Sequence, residues 1–342
     1  MKILAIESTC DETAAAVVES CGRGVKVLAN VVASSMVVYQ KYGGIVPEIA
    51  AREQVLSIIP VITEAIASYK NEIDAIAVSF GPGLMGSLLI GVETAKALSW
   101  AWKKPLLKVN HMSGHVLANW IVKDKDEVTP EFPVLGLIVS GGHTDIILMT
   151  DFEKWKWIGG TRDDAVGEAF DKTARILSFP YPGGPAIDKA AQSVNNDTWI
   201  KIPKELRLPR PMINEENLDM SFSGIKAAVL RIVEKNPNFD PDTKNLIAKE
   251  FSEAIIEVLI SKTVHGIRTF SPKSVVLAGG VAANSTLRIK LKEEVEKIDG
   301  IKFFVPELKY CGDNGAMIGA SAILRPKQAN FDLKPDPGIS TI

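Results

Sequence analysis

The feature that most constrains this fold is a strand–turn–strand layout that occurs twice. Residues 2–19 read KILAIESTCDETAAAVVE, and residues 134–150 read VLGLIVSGGHTDIILMT. Each stretch begins with a short apolar strand, turns through small and polar residues, and continues into a second apolar strand. A repeated supersecondary unit is typical of an internal duplication. The sequence therefore predicts two lobes, each built around one of these hairpins.

Apolar runs alternate with helical patterns along the rest of the chain. Short runs rich in β-branched residues predict strands at Ile3–Ile6, Ala14–Val18, Val25–Val31, Ile76–Ser79, Leu106–Val109, Leu135–Ser140, Thr144–Met149 and Ser274–Leu277. Apolar residues at spacings of three and four predict helices at Pro47–Tyr69, Ser87–Trp102, Asp164–Leu177, Thr243–Thr269, Asn284–Glu296 and Asn314–Ile323. This alternation predicts an α/β fold.

Composition is that of a globular protein. The 342 residues, 46% of them hydrophobic and 23% charged, suffice for two domains with buried cores. Met1–Ile6 lacks the length of a signal peptide, and Gly81-Pro82-Gly83 breaks the longest uncharged run, so we expect a cytoplasmic protein without a membrane span. Three scattered cysteines predict no disulfide framework. A net charge of −2 argues against a surface that binds nucleic acid everywhere.

The pentapeptide His-Met-Ser-Gly-His at residues 111–115 is the strongest indication of chemistry. It follows the strand Leu106–Val109 and a natural helix cap, Asn110, so a helix should begin here and bring both histidines to one face. Two neutral imidazoles can bind one transition metal ion and leave positions for a carboxylate and a substrate oxygen. Met112 stands where a zinc protease needs its glutamate, which disfavours peptide hydrolysis.

The turns of the two hairpins suit contact with an anion. Ser8 and Thr9 offer hydroxyl groups, while Gly141 and Gly142 let backbone N–H groups approach closely. The duplicated layout resembles the actin, sugar-kinase and heat-shock ATPase (ASKHA) superfamily. That resemblance implies an α/β, duplicated two-lobe ASKHA-like fold with a nucleotide cleft between the lobes. We expect residues 1–105, completed by 324–342, to form the N-terminal lobe, and residues 106–323 to form the C-terminal lobe with the metal and nucleotide sites.

Two further glycine-rich stretches favour a nucleotide site. Gly279-Gly280 follows a predicted strand and leads into a helix at Asn284, so the backbone there can approach a nucleotide at the helix start. Tyr181–Pro185 precedes Asp188 at a spacing that would let a carboxylate reach a ribose. A single glycine pair marks only a turn, but several such pairs in a duplicated fold favour a nucleotide-binding function.

Motifs along nearly the whole chain resemble the TsaD family, the bacterial and organellar tRNA N6-adenosine threonylcarbamoyltransferases. The matching stretches are ESTCDET (7–13), YGGIVPEIAAREQ (42–54), GPGLMGSLLIG (81–91), HMSGH (111–115), VSGGHT (139–144), GEAFDKTAR (167–175), YPGGP (181–185), FSG-K (222–226), GGVAAN (279–284) and YCGDNGAMIG (310–319). Archaeal and eukaryotic relatives carry a different pattern around the histidines. The sequence is therefore most similar to the bacterial branch.

The resemblance implies roles for matching positions. His111, His115 and Asp313 correspond to the ligands of one divalent metal ion per subunit, Fe²⁺ or Zn²⁺. Positions that correspond to contacts with the adenylate, an ATP-type nucleotide in the cleft, are Ile138, Val139, Ser140, Gly141, Gly142, Asp171, Gly184, Asp188 and Asn284. From their place in the first hairpin, Asp11 and Glu12 would face the cleft and act in catalysis, either by orienting the acceptor amine or by accepting its proton; the alternative interpretation is a solvated acidic turn.

The family also implies a reaction and partners. The threonylcarbamoyl group of L-threonylcarbamoyladenylate is transferred to N6 of an adenosine beside the anticodon of tRNAs that read ANN codons, and AMP is released. Partners are the paralogue TsaB, paired through the helix predicted at Pro47–Tyr69 with Ile62 on its face, the ATPase TsaE, and tRNA. An ASKHA-type ATPase or kinase and a non-catalytic scaffold are the alternative interpretations.

A short basic segment is the remaining candidate for contact with tRNA. Four cations lie within ten residues: Lys201, Lys204, Arg207 and Arg210. They would bind phosphates without regard to sequence. The alternative interpretation is a solvated loop.

Overall fold

The computed structural model describes residues 1–340, apart from the side chain of Val37. The strands are β1 (Lys2–Glu7), β2 (Glu12–Cys21), β3 (Gly24–Ser34), β4 (Ala75–Gly81), β5 (Leu106–Asn110), β6 (Val134–Val139), β7 (Thr144–Met149), β8 (Trp155–Gly160), β9 (Ser274–Ala278), β10 (Lys302–Phe304) and β11 (Gln328–Ala329). The helices are α1 (Met36–Gln40), α2 (Pro47–Ala65), α3 (Met85–Trp102), α4 (His111–Leu117), α5 (Val166–Ile176), α6 (Gly183–Gln192), α7 (Asn196–Ile200), α8 (Ser223–Lys235), α9 (Pro241–Phe270), α10 (Ser285–Glu296) and α11 (Gly315–Leu324).

The chain divides into two compact units. The first unit comprises Met1–Glu131, Thr150–Trp155 and the described residues from Phe304 onward, and the second comprises Phe132–Met149 and Lys156–Phe303. These bounds differ from the expected division at residues 105 and 323. Strand β5 pairs with β4 in parallel, and α11 packs on β1 and β2, so both elements belong to the first unit. The pentapeptide and Asp313 therefore lie in the first unit, not in the C-terminal lobe.

The sheet of the first unit is built around the β1–β2 hairpin. Over the described residues its strand order is β11-β5-β4-β1-β2-β3. Strands β1 and β2 are antiparallel with Ile3 opposite Val18, and β4 lies parallel to β1 on the other side. The turn of the hairpin, residues 8–11, joins two buried strands.

The sheet of the second unit repeats this arrangement around the β6–β7 hairpin. Within residues 1–340 its strand order is β10-β9-β6-β7-β8. Strands β6 and β7 are antiparallel with Val134 opposite Met149, and β9 lies parallel to β6 on the other side. Its hairpin turn, residues 140–143, has the same length as the first. The duplicated layout predicted from the sequence is confirmed.

Side chains of the first hairpin alternate between two cores. Leu4 and Ile6 of β1 pack with α2 and α3 on one face of the sheet, whereas Ile3 packs with α11 on the other. Gly315 and Gly319 of α11 permit the close approach. A Cβ at Gly315 would lie 2.5 Å from a backbone nitrogen of β2, and one at Gly319 would lie 2.5 Å from a side chain of β2. Helix α11 is thus fixed against the hairpin by its small residues.

Helix α9 is the longest helix of the described chain, and charged residues are part of its buried surface. Glu250, Glu253 and Lys262 are almost entirely buried along it. The Lys262 ammonium donates to the carbonyl oxygens of Glu215 and Asn217, each at 2.7 Å. In residues 1–340, no helix combines the length and apolar character needed to cross a membrane.

Candidate functional site

Both histidines of the pentapeptide lie on helix α4, as the capping pattern predicts. The Asn110 side chain accepts hydrogen bonds from the N–H groups of Met112 at 2.9 Å and Ser113 at 3.2 Å, which starts the helix where β5 ends. The spacing of four residues brings the rings of His111 and His115 together, with their centroids 4.7 Å apart. Both side chains are buried.

Asp313 reaches the histidines because α4 packs against α11. Gly114 allows this packing, since a Cβ there would lie 3.0 Å from Cδ1 of Ile318. Asn314 caps α11 by accepting a hydrogen bond from Met317 N at 2.9 Å. Asp313 directly precedes that cap, and its carboxylate therefore lies beside the α4 histidines.

The three side chains form a group of the size that a metal ion requires. His115 Nε2 lies 3.2 Å and His111 Nε2 3.6 Å from Asp313 Oδ1. Donors bound to one tetrahedral ion at about 2.0–2.1 Å stand roughly 3.3 Å apart, close to these separations. Two imidazole nitrogens and one carboxylate oxygen suit iron or zinc and leave a position open for a substrate. The residues present therefore fit a divalent ion of this kind.

The Nδ1 atoms of the two imidazoles have different surroundings. His111 Nδ1 lies 3.1 Å from Glu7 Oε2 and 3.2 Å from Thr9 Oγ1. His115 Nδ1 is buried and has no hydrogen-bond partner among the described residues. The contact made by Glu7 was not anticipated, although Glu7 opens the motif ESTCDET.

Charges within the group keep His111 protonated when no cation is bound. Burial opposes this, but the Asp313 and Glu7 carboxylates outweigh burial and raise the pKa of His111 to about 9. Although burial of Asp313 acts in the other direction, the two histidines lower the pKa of its carboxyl group to about 2. A metal ion must displace the proton of His111, so metal binding is coupled to proton release.

The first hairpin turn brings Asp11 and Glu12 next to Asp313. One carboxylate oxygen from each of these residues lies within 4.8 Å of the other two. Burial, with the negative charge of Asp313, raises the pKa of Glu12 to about 10, and burial also raises the pKa of Asp11. A carboxylate in such surroundings is a stronger base than one in water.

A buried glutamine fixes this turn. Gln54 of α2 is fully buried, and its Nε2 donates to the carbonyl oxygens of Cys10 at 3.0 Å and Glu12 at 3.2 Å. Ser87 Oγ of α3 donates to the carbonyl of Cys10 at 3.0 Å. Sequence reasoning did not single out Gln54. The available signal was a polar residue on the apolar face of a helix.

The second unit contains a cavity of about 340 Å³ next to its hairpin turn. Its lining consists of Gly141, Gly167, Phe170, Asp171, Pro182, Gly184, Pro185, Asp188, Gly280, Val281, Ala283 and Asn284. Five of the predicted adenylate contacts thus come together, while Phe170 and Val281 were not anticipated. A Cβ at Gly141, Gly184 or Gly280 would meet no described atom within 4 Å, so these backbone segments are open to the cavity.

Polar side chains of the cavity are held in place by hydrogen bonds to side-chain and backbone groups. Asn284 Nδ2 donates to Asp188 Oδ1 at 3.1 Å, and Gly183 N donates to Asp171 Oδ1 at 2.8 Å. Partial burial raises the pKa of Asp188, while its hydrogen bond with Asn284 acts against that rise. Asn284 also caps α10 by accepting from Leu287 N. The carboxylates are therefore positioned to accept hydrogen bonds from a ligand.

Other predicted contacts lie away from the cavity lining. The side chains of Ile138 and Val139 are fully buried in β6. Ser140 Oγ accepts a hydrogen bond from His143 N at 3.1 Å and so closes the hairpin turn. Gly142 is exposed at the turn. These positions build the strand and turn that carry Gly141, and their side chains do not face the cavity.

The basic segment does not act as one set of free cations. Arg210 forms ion pairs with Glu250 and Glu257, and Arg207 Nη1 lies 3.3 Å from Glu250. Glu250 is fully buried, so these guanidinium groups balance an internal charge. The ion pairs of the two arginines count against free phosphate contacts by them, and the hypothesis of four phosphate contacts stays a prediction. Lys201 and Lys204 remain exposed.

The apolar face predicted on α2 is divided between core and surface. Ile58 and Ile62 are buried in the core of the first unit. Val55, Leu56 and Ile59 are 60%, 70% and 57% exposed. The placement of Ile62 on a partner surface was therefore wrong, because α2 directs that side chain toward the sheet.

Comparison with known proteins gives one consistent result. The TsaD family model, described as tRNA N6-adenosine threonylcarbamoyltransferase, matches residues 26–320. A protein of that name from Anaeromyxobacter sp. (strain Fw109-5) is 43% identical over 345 residues, which cover 98% of this chain and 99% of the relative. One from Dehalococcoides mccartyi (strain CBDB1) is 44% identical over 346 residues, covering 99% of each.

A solved structure supports the fold. HypF of T. kodakarensis aligns over 94% of this chain with a TM-score of 0.58 and 16% identity. This chain spans about half of that protein, covering 48% of its length. At this level of identity the likeness concerns the two-lobe α/β fold alone.

Proposed function

The chain belongs to the TsaD family of tRNA N6-adenosine threonylcarbamoyltransferases, and we propose that L-threonylcarbamoyladenylate is its donor. It is an acyltransferase that modifies tRNA by transferring a threonylcarbamoyl group to N6 of an adenosine. In the proposed reaction the N6–carbon bond forms while the bond from the carbamoyl carbon to the phosphate oxygen breaks. AMP leaves with that electron pair. The acceptor lies beside the anticodon of tRNAs that read ANN codons.

The observation that carries this proposal is the buried group of His111, His115 and Asp313. Its donor separations of 3.2 and 3.6 Å suit one Fe²⁺ or Zn²⁺ ion. A divalent ion held there would supply Lewis acidity to the oxygen on which negative charge gathers during transfer. An ATPase, kinase or scaffold of the same fold has no need of this ligand set.

Glu12 and Asp11 are the candidate proton acceptors. The attacking N6 amine must lose a proton as its bond to carbon forms. In the metal-free site Glu12 keeps its proton at neutral pH, because burial and the Asp313 charge raise its pKa to about 10; a divalent ion held by Asp313 would offset that charge and free the Glu12 carboxylate to accept the amine proton. One carboxylate oxygen of Glu12 and one of Asp11 lie within 4.8 Å of a carboxylate oxygen of Asp313. Gln54 and Ser87 hold the backbone of this turn, so the carboxylates would stay in place through the reaction.

The cavity of the second unit is the candidate site for the adenosine of the donor. Asp188 and Asn284 would bind ribose hydroxyl groups, since they already share a hydrogen bond of 3.1 Å at the cavity wall. The open backbone at Gly141 and Gly280 would let N–H groups approach a phosphate without a side chain in the way. Phe170 and Val281 would pack against the apolar base.

The candidate surface for TsaB is the exposed part of α2. Val55, Leu56 and Ile59 form an apolar strip that faces away from the core. Adjacent exposed apolar side chains on one helix favour a protein partner. TsaE and tRNA complete the proposed assembly.

A transfer assay with tRNA, the synthetic adenylate, TsaB and TsaE tests the proposal. His115→Ala should lose both bound metal and transfer, while circular dichroism shows an intact fold. His265→Ala is the matched control, because this histidine lies on α9 outside the group, and it should keep both properties. Full transfer by metal-free His115→Ala protein would refute the role of the group.

A further inference from the structure

We infer that Glu7 is a positioning residue for the metal group, on the premise that the proposed function is correct. Its carboxylate holds His111 in the one orientation and tautomer that presents Nε2 toward Asp313 and His115. Glu7 would not touch the metal or the substrate. It would act through the far side of the His111 ring.

The geometry fixes Glu7 at both of its oxygens. Glu7 is the last residue of β1 and is 0% exposed. Its Oε1 accepts a hydrogen bond from Thr9 N at 2.6 Å, and its Oε2 lies 3.1 Å from His111 Nδ1. Because the two contacts use different oxygens, the carboxylate cannot rotate without losing one of them.

The contact between Glu7 and His111 determines which ring nitrogen of His111 is available to bind a metal. A carboxylate is an acceptor only, so His111 Nδ1 must carry a proton to make the bond. In the neutral ring the lone pair is then on Nε2, which faces Asp313 at 3.6 Å. Hydrogen bonding of the distal N–H to a carboxylate also makes the ligating nitrogen more basic and strengthens its bond to a metal.

His115 lacks a hydrogen bond of the kind that Glu7 makes with His111. His115 Nδ1 is buried without a hydrogen-bond partner in the part of the chain that the structure describes. The two imidazoles are therefore unequal ligands. His111 is oriented by the protein before a metal arrives, whereas His115 is held by packing and by its contact with Asp313 at 3.2 Å.

The test is Glu7→Gln, which keeps the shape of the side chain. Because the two contacts use different oxygens, a carboxamide, which has one oxygen and one nitrogen, cannot accept a hydrogen bond at both positions. We expect zinc affinity, measured by competition with a chelator, to fall about 10 to 100-fold. In ¹⁵N NMR spectra of the zinc-loaded protein, the Nδ1 signal of His111 should move, while the signal of His115 stays in place.

Glu250→Gln is the matched control, because Glu250 is also fully buried but lies in the second unit. It should lower thermal stability without changing zinc affinity or the His111 signal. Glu7→Asp keeps a carboxylate on a shorter side chain, so its zinc affinity should lie between that of Glu7→Gln and that of the parent protein. If Glu7→Gln proves unstable, the NMR comparison is made on Glu7→Asp, whose shorter carboxylate should move the His111 Nδ1 signal and leave that of His115 in place; an unmoved His111 signal would overturn the inference.

Unchanged zinc affinity and an unchanged His111 signal in Glu7→Gln would overturn the inference. A fall in affinity shared equally with Glu250→Gln would overturn it as well, because that result indicates general destabilisation. Failure of the parent protein to bind zinc through His115 would instead refute the proposed metal centre. The two failures are therefore distinguishable.

Discussion

Zinc binding should tighten steeply as the pH rises from about 7 to 9. The Asp313 and Glu7 carboxylates outweigh burial and raise the pKa of His111 to about 9, and the proton must leave before Nε2 can bind a metal. At pH 7 only about one molecule in 100 carries an unprotonated His111 ring. Affinity at pH 7 should therefore be about 100-fold weaker than its limit above pH 9, a difference of about 2.7 kcal/mol.

Chelator competition at pH 7, 8 and 9 measures this dependence. With His111 as the single source of protons, as in Glu12→Gln, the logarithm of the association constant should rise by about one per pH unit and level off above pH 9. Calorimetry in buffers of different ionisation enthalpy should detect the released proton directly. Glu12 adds a second source of protons, because its pKa is raised to about 10 beside Asp313. Glu12→Gln removes that source and leaves the release from His111.

The same pKa shifts predict the stability of the metal-free protein. His111 has a folded pKa of about 9 against an ordinary value of 6.5, so its contribution to stability is complete below pH 6.5 and is lost as the pH rises through 9. Glu12 acts in the same direction, because its folded form retains a proton that the unfolded chain has released. Zinc affinity that stays flat between pH 7 and 9 in both the parent and Glu12→Gln would refute this account of the site.

Three further predictions concern the cavity of the second unit, the exposed strip of α2 and the two exposed lysines. Asn284→Ala should weaken AMP binding by about 1–3 kcal/mol in calorimetry, because it removes a hydrogen-bond partner from the cavity, and unchanged affinity would place the nucleotide elsewhere. Ile59→Glu should abolish co-elution with TsaB while the melting temperature stays constant. Ile62→Glu buries a charge and should unfold the first unit. Unfolding of Ile59→Glu together with loss of co-elution by a stable Ile62→Glu protein would exclude the α2 strip. Changing Lys201 and Lys204 to Ala should flatten the log–log salt dependence of tRNA binding by about 1.5, and an unaltered slope would return the segment to a solvated loop.

Local sequence patterns predicted the elements that depend on neighbouring residues. The two hairpins appeared where apolar runs flank turns of four residues, because strand pairing across a short turn is a local event. Helix α6 was missed because it begins with Gly183-Gly184-Pro185, residues that indicate a turn. Helix α2 ends at Ala65, although the apolar pattern continues to Tyr69. A pattern of apolar side chains does not indicate the residue at which the backbone hydrogen bonds of a helix end.

Long-range packing determined the division into units, and this could not be predicted from adjacent residues. Strand β5 was assigned to the C-terminal lobe, which was expected to begin at residue 106. It pairs instead with β4, with Ile76 opposite Leu106. Helix α11 joins the first unit through Gly315 and Gly319, whose fit against β2 becomes visible only when both elements are placed.

The metal group shows even more clearly that contacts between distant parts of the chain could not be predicted from local patterns. His111 and His115 were predicted from spacing alone, because both lie on one helix. Asp313 lies far along the chain and was reached only through family resemblance. Glu7 was overlooked as the end of a buried strand. Yet β1, β4 and β5 run parallel, so the carboxyl end of β1 at Glu7 and the residue after β5, His111, lie at the same sheet edge. In α/β sheets that edge carries functional side chains. With the strand order known, an acidic residue at the end of β1 becomes the expected partner for the far nitrogen of His111.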